Sequence, residues 1–323
     1  MYAAQDADPR LGTVLHDRYE IQQRIAAGAM AVVYRGERVR LKRPVAIKFL
    51  HESYASSDDG MQRFEREALV MSRLNHPNCV SVTDFGVDNG SPYLVMDFID
   101  GRSLREVLGV EHRMPASRAL HIVRQILAGL SHAHGQGVFH RDVKPENILL
   151  TTIEGHGEQV RILDFGLAKL RNETSVTTGI AVGTPGYMSP EQTAGERVDE
   201  RSDIYATGII LYELLSGKKP FQSDSPYDVM RMHREVTPTP LCFAAPDAKV
   251  SDELDTVIQR ALAKPREARF ASASAFLLAL EATPEGQARH GRAAAPAGLN
   301  LTPAVAVAIG LVVLAVIVIL AFL

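Results

Sequence analysis

Short apolar runs bounded by turn residues characterise the first third of the chain. These runs are rich in β-branched and aromatic side chains, which favour strands, and they lie at residues 32–34, 45–49 and 93–96. One helix is predicted among them, over residues 61–74, because apolar side chains recur there at helical spacing. Residues 19–98 are therefore predicted to form a β-rich unit, preceded by a short flexible lead over residues 1–18.

Longer apolar stripes with a helical period follow in the region after residue 98. Helices are predicted around residues 120–130 and 204–215, and later ones over residues 253–262 and 271–281. A small β-rich unit followed by a larger helical one predicts an α+β fold of two lobes with a cleft between them.

The C-terminal end of the chain has a different pattern. Residues 282–303 carry proline, glycine, alanine and arginine without apolar periodicity, which predicts a linker. Residues 304–323 are all apolar or glycine, and about 20 such residues suffice to cross a bilayer as a helix. Arg289, His290 and Arg292 precede this predicted transmembrane helix, and the positive side of a span faces the cytoplasm.

Composition and charge narrow the class of protein. The formal net charge of −3 excludes a strongly basic nucleic-acid binder. The two cysteines, Cys79 and Cys242, stand far apart and outside any metal-binding spacing, so a disulfide framework or a zinc site is not expected. The polar, acidic N-terminus does not have the pattern of a signal peptide.

Three short motifs stand in an order that suits phosphoryl transfer. Such transfer needs groups that hold the phosphates, oxygen ligands for divalent cations and a carboxylate that orients the acceptor hydroxyl. The motifs are Val-Ala-Ile-Lys at residues 45–48, His-Arg-Asp-Val-Lys-Pro-Glu-Asn at residues 140–147 and Asp-Phe-Gly at residues 164–166. Asp-Phe-Gly alone is a weak signal, but here it follows a strand-like run and the longer motif.

These motifs resemble those of the eukaryotic-type (Hanks-type) serine/threonine protein kinases, of the bacterial membrane-anchored kind. The resemblance covers residues 19–281 and implies a bilobal protein kinase fold. The β-rich N-lobe would comprise residues 19–98, and the larger, mainly helical C-lobe residues 99–281. The resemblance also implies ATP and Mg²⁺ as cofactors and proteins as substrates.

The same resemblance assigns roles to single residues of the motifs. Asp142 would accept the proton of the substrate hydroxyl, and Lys144 would lie near the γ-phosphate. The remaining roles are Asn147 and Asp164 as magnesium ligands, Lys48 on the ATP phosphates, and Glu67 as the ion-pair partner of Lys48, with Glu65 as the solvated neighbour.

The loop over the phosphates departs from the family pattern Gly-x-Gly-x-x-Gly. Residues 26–31 read Ala-Ala-Gly-Ala-Met-Ala, so only the middle glycine, Gly28, remains. Because glycine lets a backbone approach phosphates closely, we expect ATP binding that is intact but weakened. The ATP-binding residues implied by the resemblance are Ile25, Ala26, Ala27, Gly28, Ala29, Met30, Ala31, Val32, Val33, Ala46, Lys48, Glu67, Met96, Asp97, Ile99 and Leu149.

Residues 183–191 resemble the end of a kinase activation segment. By this resemblance Glu191 is expected to pair with Arg269, and Asp203 to brace the catalytic loop. Thr184, together with Lys144, indicates specificity for serine and threonine rather than tyrosine.

A regulatory site is predicted upstream of this region. Arg141 directly precedes the catalytic aspartate, and in the family an arginine there binds a phosphorylated residue of the activation segment. We expect autophosphorylation at Thr178, and next at Thr177, with a homodimer as the means of transfer between copies. The alternative is that these threonines only form a polar loop.

The sequence therefore predicts a serine/threonine protein kinase at the cell membrane, with its kinase domain in the cytoplasm. The main alternative is a membrane-tethered pseudokinase that acts as a binding module, which the depleted glycine loop favours. A small-molecule phosphotransferase of related fold is the third class, but it normally lacks the Pro-Glu ending at residues 190–191.

Overall fold

A six-stranded antiparallel sheet and one helix form the N-lobe of the protein. The computed structural model describes residues 8–28, 31–51, 58–155, 157–165 and 185–288. The strands follow one another across the sheet in the order β1-β2-β3-β4-β6-β5. Their bounds are Val14–Leu15 (β1), Tyr19–Ala27 (β2), Ala31–Arg38 (β3), Arg43–Leu50 (β4), Val82–Asp88 (β5) and Ser91–Asp97 (β6), with helix α1 at Asp58–Met71 between β4 and β5.

The C-lobe is mainly helical and carries a small sheet on its cleft side. Strands β7 (Arg102–Ser103), β8 (Ile148–Ile153) and β9 (Gly157–Ile162) form that sheet in chain order. The helices are α2 (Leu104–Glu111), α3 (Ala116–Gly135), α4 (Pro190–Thr193), α5 (Glu200–Ser216), α6 (Pro226–Glu235), α7 (Leu241–Ala244), α8 (Asp252–Ala261), α9 (Ala273–Glu281) and α10 (Pro284–Gln287).

Helix α5 lies at the centre of the C-lobe. Every residue from Ser202 to Leu215 is buried, so this helix is covered on all sides, as expected of a core helix rather than an amphipathic surface one. Asp199 caps its first turn by accepting a hydrogen bond from Arg201 N at 2.9 Å, and Gly217 ends it in the left-handed conformation at φ 77°. Any polar side chain on α5 therefore needs a buried partner, which is how this helix positions the site.

A larger apolar core includes the buried apolar side chains of α5. A second, separate apolar core lies on the outer face of the N-lobe sheet. We call it the outer cluster; its buried members are Leu15, Tyr19, Ile21, Tyr34, Val45, Ile47, Phe49, Tyr93 and Val95. The rings of Tyr34 and Phe49 meet edge to face, with centroids 5.7 Å apart. Strand β1 and the residues before it cover this face, and Leu15 is only 4% exposed.

The described structure continues on both sides of the predicted domain, residues 19–281. The lead was expected to be flexible, but its described part, residues 8–18, includes β1 paired with β2. The predicted linker begins with α10, where Glu285 Oε1 accepts a hydrogen bond from Ser251 N at 2.6 Å. Such short, polar segments carry too few apolar positions to show a period, so the sequence pattern did not reveal them.

The predicted membrane span is not part of the described structure. Residues 304–323 lie outside the described ranges. Within those ranges, every helix is too short or too polar to cross a bilayer.

Candidate active site

The loop that carries Asp142 is held in place by a side chain of helix α5. Asp203 accepts hydrogen bonds from two successive backbone N–H groups, His140 N at 2.9 Å and Arg141 N at 2.8 Å. His134 Nε2 of helix α3 lies 2.8 Å from the same carboxylate. Arg141 has a φ of 66°, a conformation that non-glycine residues adopt only when their surroundings enforce it. Asp203 supplies that constraint.

Burial and hydrogen bonding shift the pKa of Asp203 in opposite directions. Burial disfavours its charge, but the contact with His134 and the nearby His140 outweigh it, so the pKa of Asp203 is lowered. The carboxylate is therefore ionised at neutral pH although it is only 1% exposed. A buried acceptor of this kind holds the loop backbone in one geometry.

Asp142, Lys144 and Asn147 converge at the start of strand β8. Lys144 Nζ lies 2.8 Å from Asp142 Oδ2. Asn147 Nδ2 donates to the backbone oxygen of Asp142 at 2.8 Å and approaches its Oδ2 at 3.4 Å. Because these contacts fix the carboxylate beside an ammonium group, the cluster can orient a hydroxyl and accept its proton.

Asp164 and Lys48 join the two lobes across the cleft. Lys48 Nζ of strand β4 lies 2.7 Å from Asp164 Oδ2, and Lys48 is only 8% exposed. Burial disfavours the charge of Asp164, but the Lys48 ammonium outweighs it and keeps the pKa of Asp164 below its usual value. The carboxylate is thus ionised in the cleft.

The backbone brings Asp164 next to Asn147. Leu163 N donates to the backbone oxygen of Asn147 at 2.9 Å, and His140 Nε2 lies 2.6 Å from the backbone oxygen of Leu163. The ring of Phe165 packs on His140, with centroids 4.9 Å apart. Asp164 itself has a φ of 59°. The turn that presents it is held by these contacts of Leu163 and Phe165 on both sides.

Asn147 and Asp164 offer side-chain oxygen atoms of the kind that bind a magnesium ion. The amide nitrogen of Asn147 is bonded to Asp142, so its side-chain oxygen is the atom left for a cation. Asp164 adds an ionised carboxylate, and Mg²⁺ binds oxygen ligands of this type. The residues present therefore fit the magnesium role expected from the sequence.

The residues predicted to surround the nucleotide come from both lobes. Ala26 and Ala27 pair with Val33 and Val32 across the β2–β3 hairpin, and Gly28 N donates to the backbone oxygen of Ala31 at 2.9 Å. A Cβ built on Gly28 would lie 3.9 Å from that oxygen, so packing does not demand glycine there. The other predicted positions are half-exposed Ile25, half-buried Ala46 and Ile99, buried Met96, exposed Asp97 and half-buried Leu149 on β8.

Some predicted positions are not decided by the structure. Glu67 is half-buried on helix α1, and Lys48 forms an ion pair with Asp164; the Lys48–Glu67 pair stays a prediction. The predicted residues Ala29, Met30, Thr177, Thr178 and Thr184 lie outside the described residues.

Glu191 and Arg269 form a buried, two-pronged ion pair. Both guanidinium Nη atoms lie 2.8 Å from the carboxylate oxygens, and Ser202 donates a further hydrogen bond to it. Arg269 also donates to the backbone oxygens of Ala263 at 2.8 Å and Lys264 at 3.0 Å. Burial opposes the charge of Glu191, but the hydrogen bonds from Arg269 outweigh it and lower its pKa to about 2. The pair therefore ties the start of α4 to the turn before α9.

The region that carries this site matches a known family over most of its length. A family described as "Protein kinase domain" matches residues 19–278. The chain belongs to this protein kinase family. The predicted resemblance to protein kinases and the predicted bilobal kinase fold are thereby confirmed.

The chain is similar to protein kinases of several bacteria. Serine/threonine-protein kinase pkn3 of Myxococcus xanthus is 39% identical over 290 residues, which cover 88% of this chain and 53% of that protein. Serine/threonine-protein kinase PknL of Mycobacterium tuberculosis is 40% identical over 288 residues, covering 88% of this chain and 70% of that protein. The chain spans about half the length, or less, of several curated relatives that it matches.

A solved structure supports the same assignment. The kinase domain of Mycobacterium tuberculosis PknI is 29% identical and superposes with a TM-score of 0.66. The match covers 84% of this chain and 97% of that one. The two-lobed fold is thus common to this chain and to nearly the whole PknI kinase domain.

One cluster of this kinase was not predicted from its sequence. Arg105 on helix α2 contacts Glu146 of the catalytic loop at 2.9 Å and Glu213 of helix α5 at 3.0 Å. The Tyr187 hydroxyl accepts from Arg105 and donates to Glu213. Burial and the nearby carboxylate raise the pKa of Tyr187. Because these four residues are far apart in sequence, no local spacing could have indicated the cluster.

Proposed function

We propose that this kinase domain transfers the γ-phosphate of ATP to serine and threonine hydroxyls of proteins. The observation that carries the proposal is the fixed cluster of Asp142, Lys144 and Asn147 facing the ionised pair of Asp164 and Lys48. The names of the relatives, all serine/threonine-protein kinases, support the same activity. A pseudokinase commonly lacks one of these groups, and this chain retains each of them.

Each group has a distinct task in the proposed reaction. Asp142 orients the substrate hydroxyl and accepts its proton, and Lys144 balances the charge on that carboxylate. Lys48 offers its ammonium to the nucleotide phosphates. Asn147 and Asp164 would hold Mg²⁺, which neutralises phosphate charge when bound.

The activity is tested on the full chain with labelled ATP and a generic basic protein as acceptor. Wild type is expected to transfer label, whereas Asp142→Asn should lower the rate by about 10²- to 10⁴-fold because the proton acceptor is lost. Nucleotide binding, measured in parallel, should be retained in the variant. Transfer that survives unchanged in Asp142→Asn would overturn the assignment of the base.

We also propose autophosphorylation at Thr178, and next at Thr177, in trans within a homodimer. Arg141 supports this step, because its Nε atom is buried and has no hydrogen-bond partner among the described residues. A guanidinium in that state suits a phosphate, which accepts several hydrogen bonds. Phosphopeptide mass spectrometry after ATP addition should find these sites in wild type and not in Asp142→Asn; an unmodified loop in a fully active enzyme would contradict the proposal.

A membrane tether is the last element of the proposed function. The apolar run at residues 304–323 supports a single span, and the basic residues before it support a cytoplasmic kinase domain. In cell fractionation the full chain should stay in the membrane pellet after carbonate washing, whereas a chain ending at residue 290 should be released. Release of both forms would refute the tether.

A further inference from the structure

Two turns at the outer corner of the N-lobe enclose a basic pocket. It has a volume of about 480 Å³, which is within the range of sites that hold small molecules or single side chains. Its lining residues are His16, Asp17, Arg18, Arg38, Arg40 and Leu41. We call it the corner pocket. The pocket lies at the end of strand β3 opposite to Ala31. At about 3.3 Å per strand residue it is roughly 23 Å from Ala31, which ends the loop over the phosphates at residues 26–31, called here the nucleotide loop.

The backbone holds the two turns together. Arg18 N donates to the oxygen of Leu15 at 3.0 Å, which closes the β1–β2 turn, and Val39 N donates to the oxygen of Arg18 at 2.9 Å. His16 and Asp17 have φ values of 48° and 56°, and turns of the primed type need a positive φ at both central residues. The pocket is therefore a built feature of the fold rather than a chance arrangement of side chains.

The side chains are also held in place. His16 stacks on the ring of Tyr93 at 5.7 Å, and Arg38 Nη2 lies 3.4 Å from the hydroxyl of Tyr19. The guanidinium groups of Arg18 and Arg38 each lie 5.5 Å from the centre of the Tyr19 ring. The aromatic rings of the outer cluster thus form a platform under the basic groups.

The charges of the corner pocket are only partly balanced. Arg18 forms an ion pair with Asp84 at 3.0 Å, and Asp17 is the acid among the lining residues. Neither Arg38 nor Arg40 has an ion pair with a described residue. Two guanidinium groups without carboxylate partners, beside a third one, favour a ligand that carries at least two negative charges.

We propose that the corner pocket binds a phosphorylated serine or threonine in a segment of a protein substrate. A phosphate accepts several hydrogen bonds, and arginine binds it in a bidentate manner. Leu41 is 60% exposed at the rim and offers an apolar contact to a flanking side chain. Asp17 suits the N–H donors of a peptide, and the concave shape is unsuited to a flat membrane surface. The choice of this occupant rests on the proposed kinase activity, which produces such residues.

The distance to the nucleotide loop adds a constraint on the substrate. An extended chain covers about 3.3 Å per residue, so the bound phosphoresidue and the acceptor hydroxyl would be separated by roughly seven residues or more. The corner pocket would thus recruit proteins that already carry one phosphate, and would favour a second transfer at a distance.

Binding is measured by fluorescence anisotropy on the full chain in detergent, without ATP. The probe is a labelled peptide with the sequence of residues 172–184 and phosphothreonine at position 178, compared with the unphosphorylated peptide. The phosphopeptide is expected to bind at least about ten-fold more tightly. Arg40→Gln should weaken it by about ten-fold, because one charged hydrogen-bond donor contributes on that order, and Arg38→Gln should have a similar effect.

Arg231→Gln is the matched control, since it removes the same charge from an exposed side chain of helix α6. Equal affinity for the two peptides, unchanged binding by both pocket variants, or an equal loss in Arg231→Gln would overturn the proposal. Displacement of the probe by short-chain phosphatidylglycerol at lower concentration than by phosphopeptide would assign the pocket to lipid instead. Because ATP is absent, these outcomes do not depend on catalysis, and an inactive enzyme that binds would refute only the proposed function.

Discussion

The buried ion pair of Glu191 and Arg269 gives the sharpest stability prediction. Replacing Arg269 by methionine keeps much of the apolar stem but removes the guanidinium that holds both carboxylate oxygens at 2.8 Å. Glu191 is 4% exposed, so its charge would be left in a site that water scarcely reaches. Ser202 would remain as a hydrogen-bond donor from a side chain, which cannot replace a cation.

The magnitude follows from the pKa of Glu191. A value of about 2 in the folded protein, against 4.5 for the free group, corresponds to about 3 kcal/mol at roughly 1.4 kcal/mol per pKa unit. This agrees with the roughly 3–5 kcal/mol that breaking a buried pair costs. Because the folded pKa is the lower one, the contribution is complete above about pH 5 and is lost as the pH falls toward 2.

Urea unfolding followed by far-ultraviolet circular dichroism measures this difference, since the chain contains no tryptophan. Arg269→Met should lower the free energy of unfolding by about 3 kcal/mol at pH 7, and by roughly 1 kcal/mol less at pH 3.5. The melting temperature should fall by roughly 6–12 °C at neutral pH.

Two variants control for other effects. Arg266→Met removes an arginine from the same turn whose ion pairs lie nearer the surface, and it should cost less than about 1 kcal/mol. The double variant Glu191→Gln/Arg269→Met should be more stable than Arg269→Met alone, because no buried charge remains. A loss below about 1 kcal/mol, or an equal loss at both pH values, would refute the reasoning.

Three further predictions concern two glycine positions, the alanines of the nucleotide loop, and Asp203, which holds the loop that carries Asp142. Gly36→Ala places a Cβ 2.6 Å from a backbone oxygen and should destabilise by about 1–3 kcal/mol in thermal unfolding, whereas Gly109→Ala, in open space on helix α2, should stabilise by about 0.5–1 kcal/mol; equal effects would contradict this. Ala26→Gly should tighten nucleotide binding in a titration, and Ala31→Gly should do so while lowering stability, because Ala31 is buried; no gain in affinity would count against the loop argument. Asp203→Asn should lower kcat and change the KM for ATP much less, because the loss of charge weakens the hydrogen bonds that hold the loop backbone. An unchanged kcat would contradict this role.

Local motifs predicted the chemical centre because its parts lie close together in sequence. Asp142, Lys144 and Asn147 fall within six residues, so one loop brings them together whatever the rest of the chain does. Asp203 and Arg269 could be predicted only through the family resemblance. Their positions depend on how α5 and the turn before α9 pack, which no apolar period reports.

Other features depend on long-range packing and could not be predicted from the apolar pattern or from local motifs. The contact of Arg105 with Glu146, Tyr187 and Glu213 joins elements up to 108 residues apart, and each side chain alone is typical of a solvated surface. The corner pocket likewise arises where two turns meet, and its arginines look in sequence like ordinary hairpin residues. The predicted helix at 61–74 was found at Asp58–Met71, a shift expected where caps decide the ends.

The cover over the outer cluster bears on how this protein can be shortened for production. Arg10 lies 4.4 Å from the centre of the Phe49 ring, and Tyr34 donates a hydrogen bond to Asp8 at 2.9 Å. A chain cut at residue 19, where the family match begins, would lose these contacts together with β1. It would expose aromatic rings and the free edge of β2, two features that promote self-association. A soluble fragment should therefore keep the residues from position 8 onward.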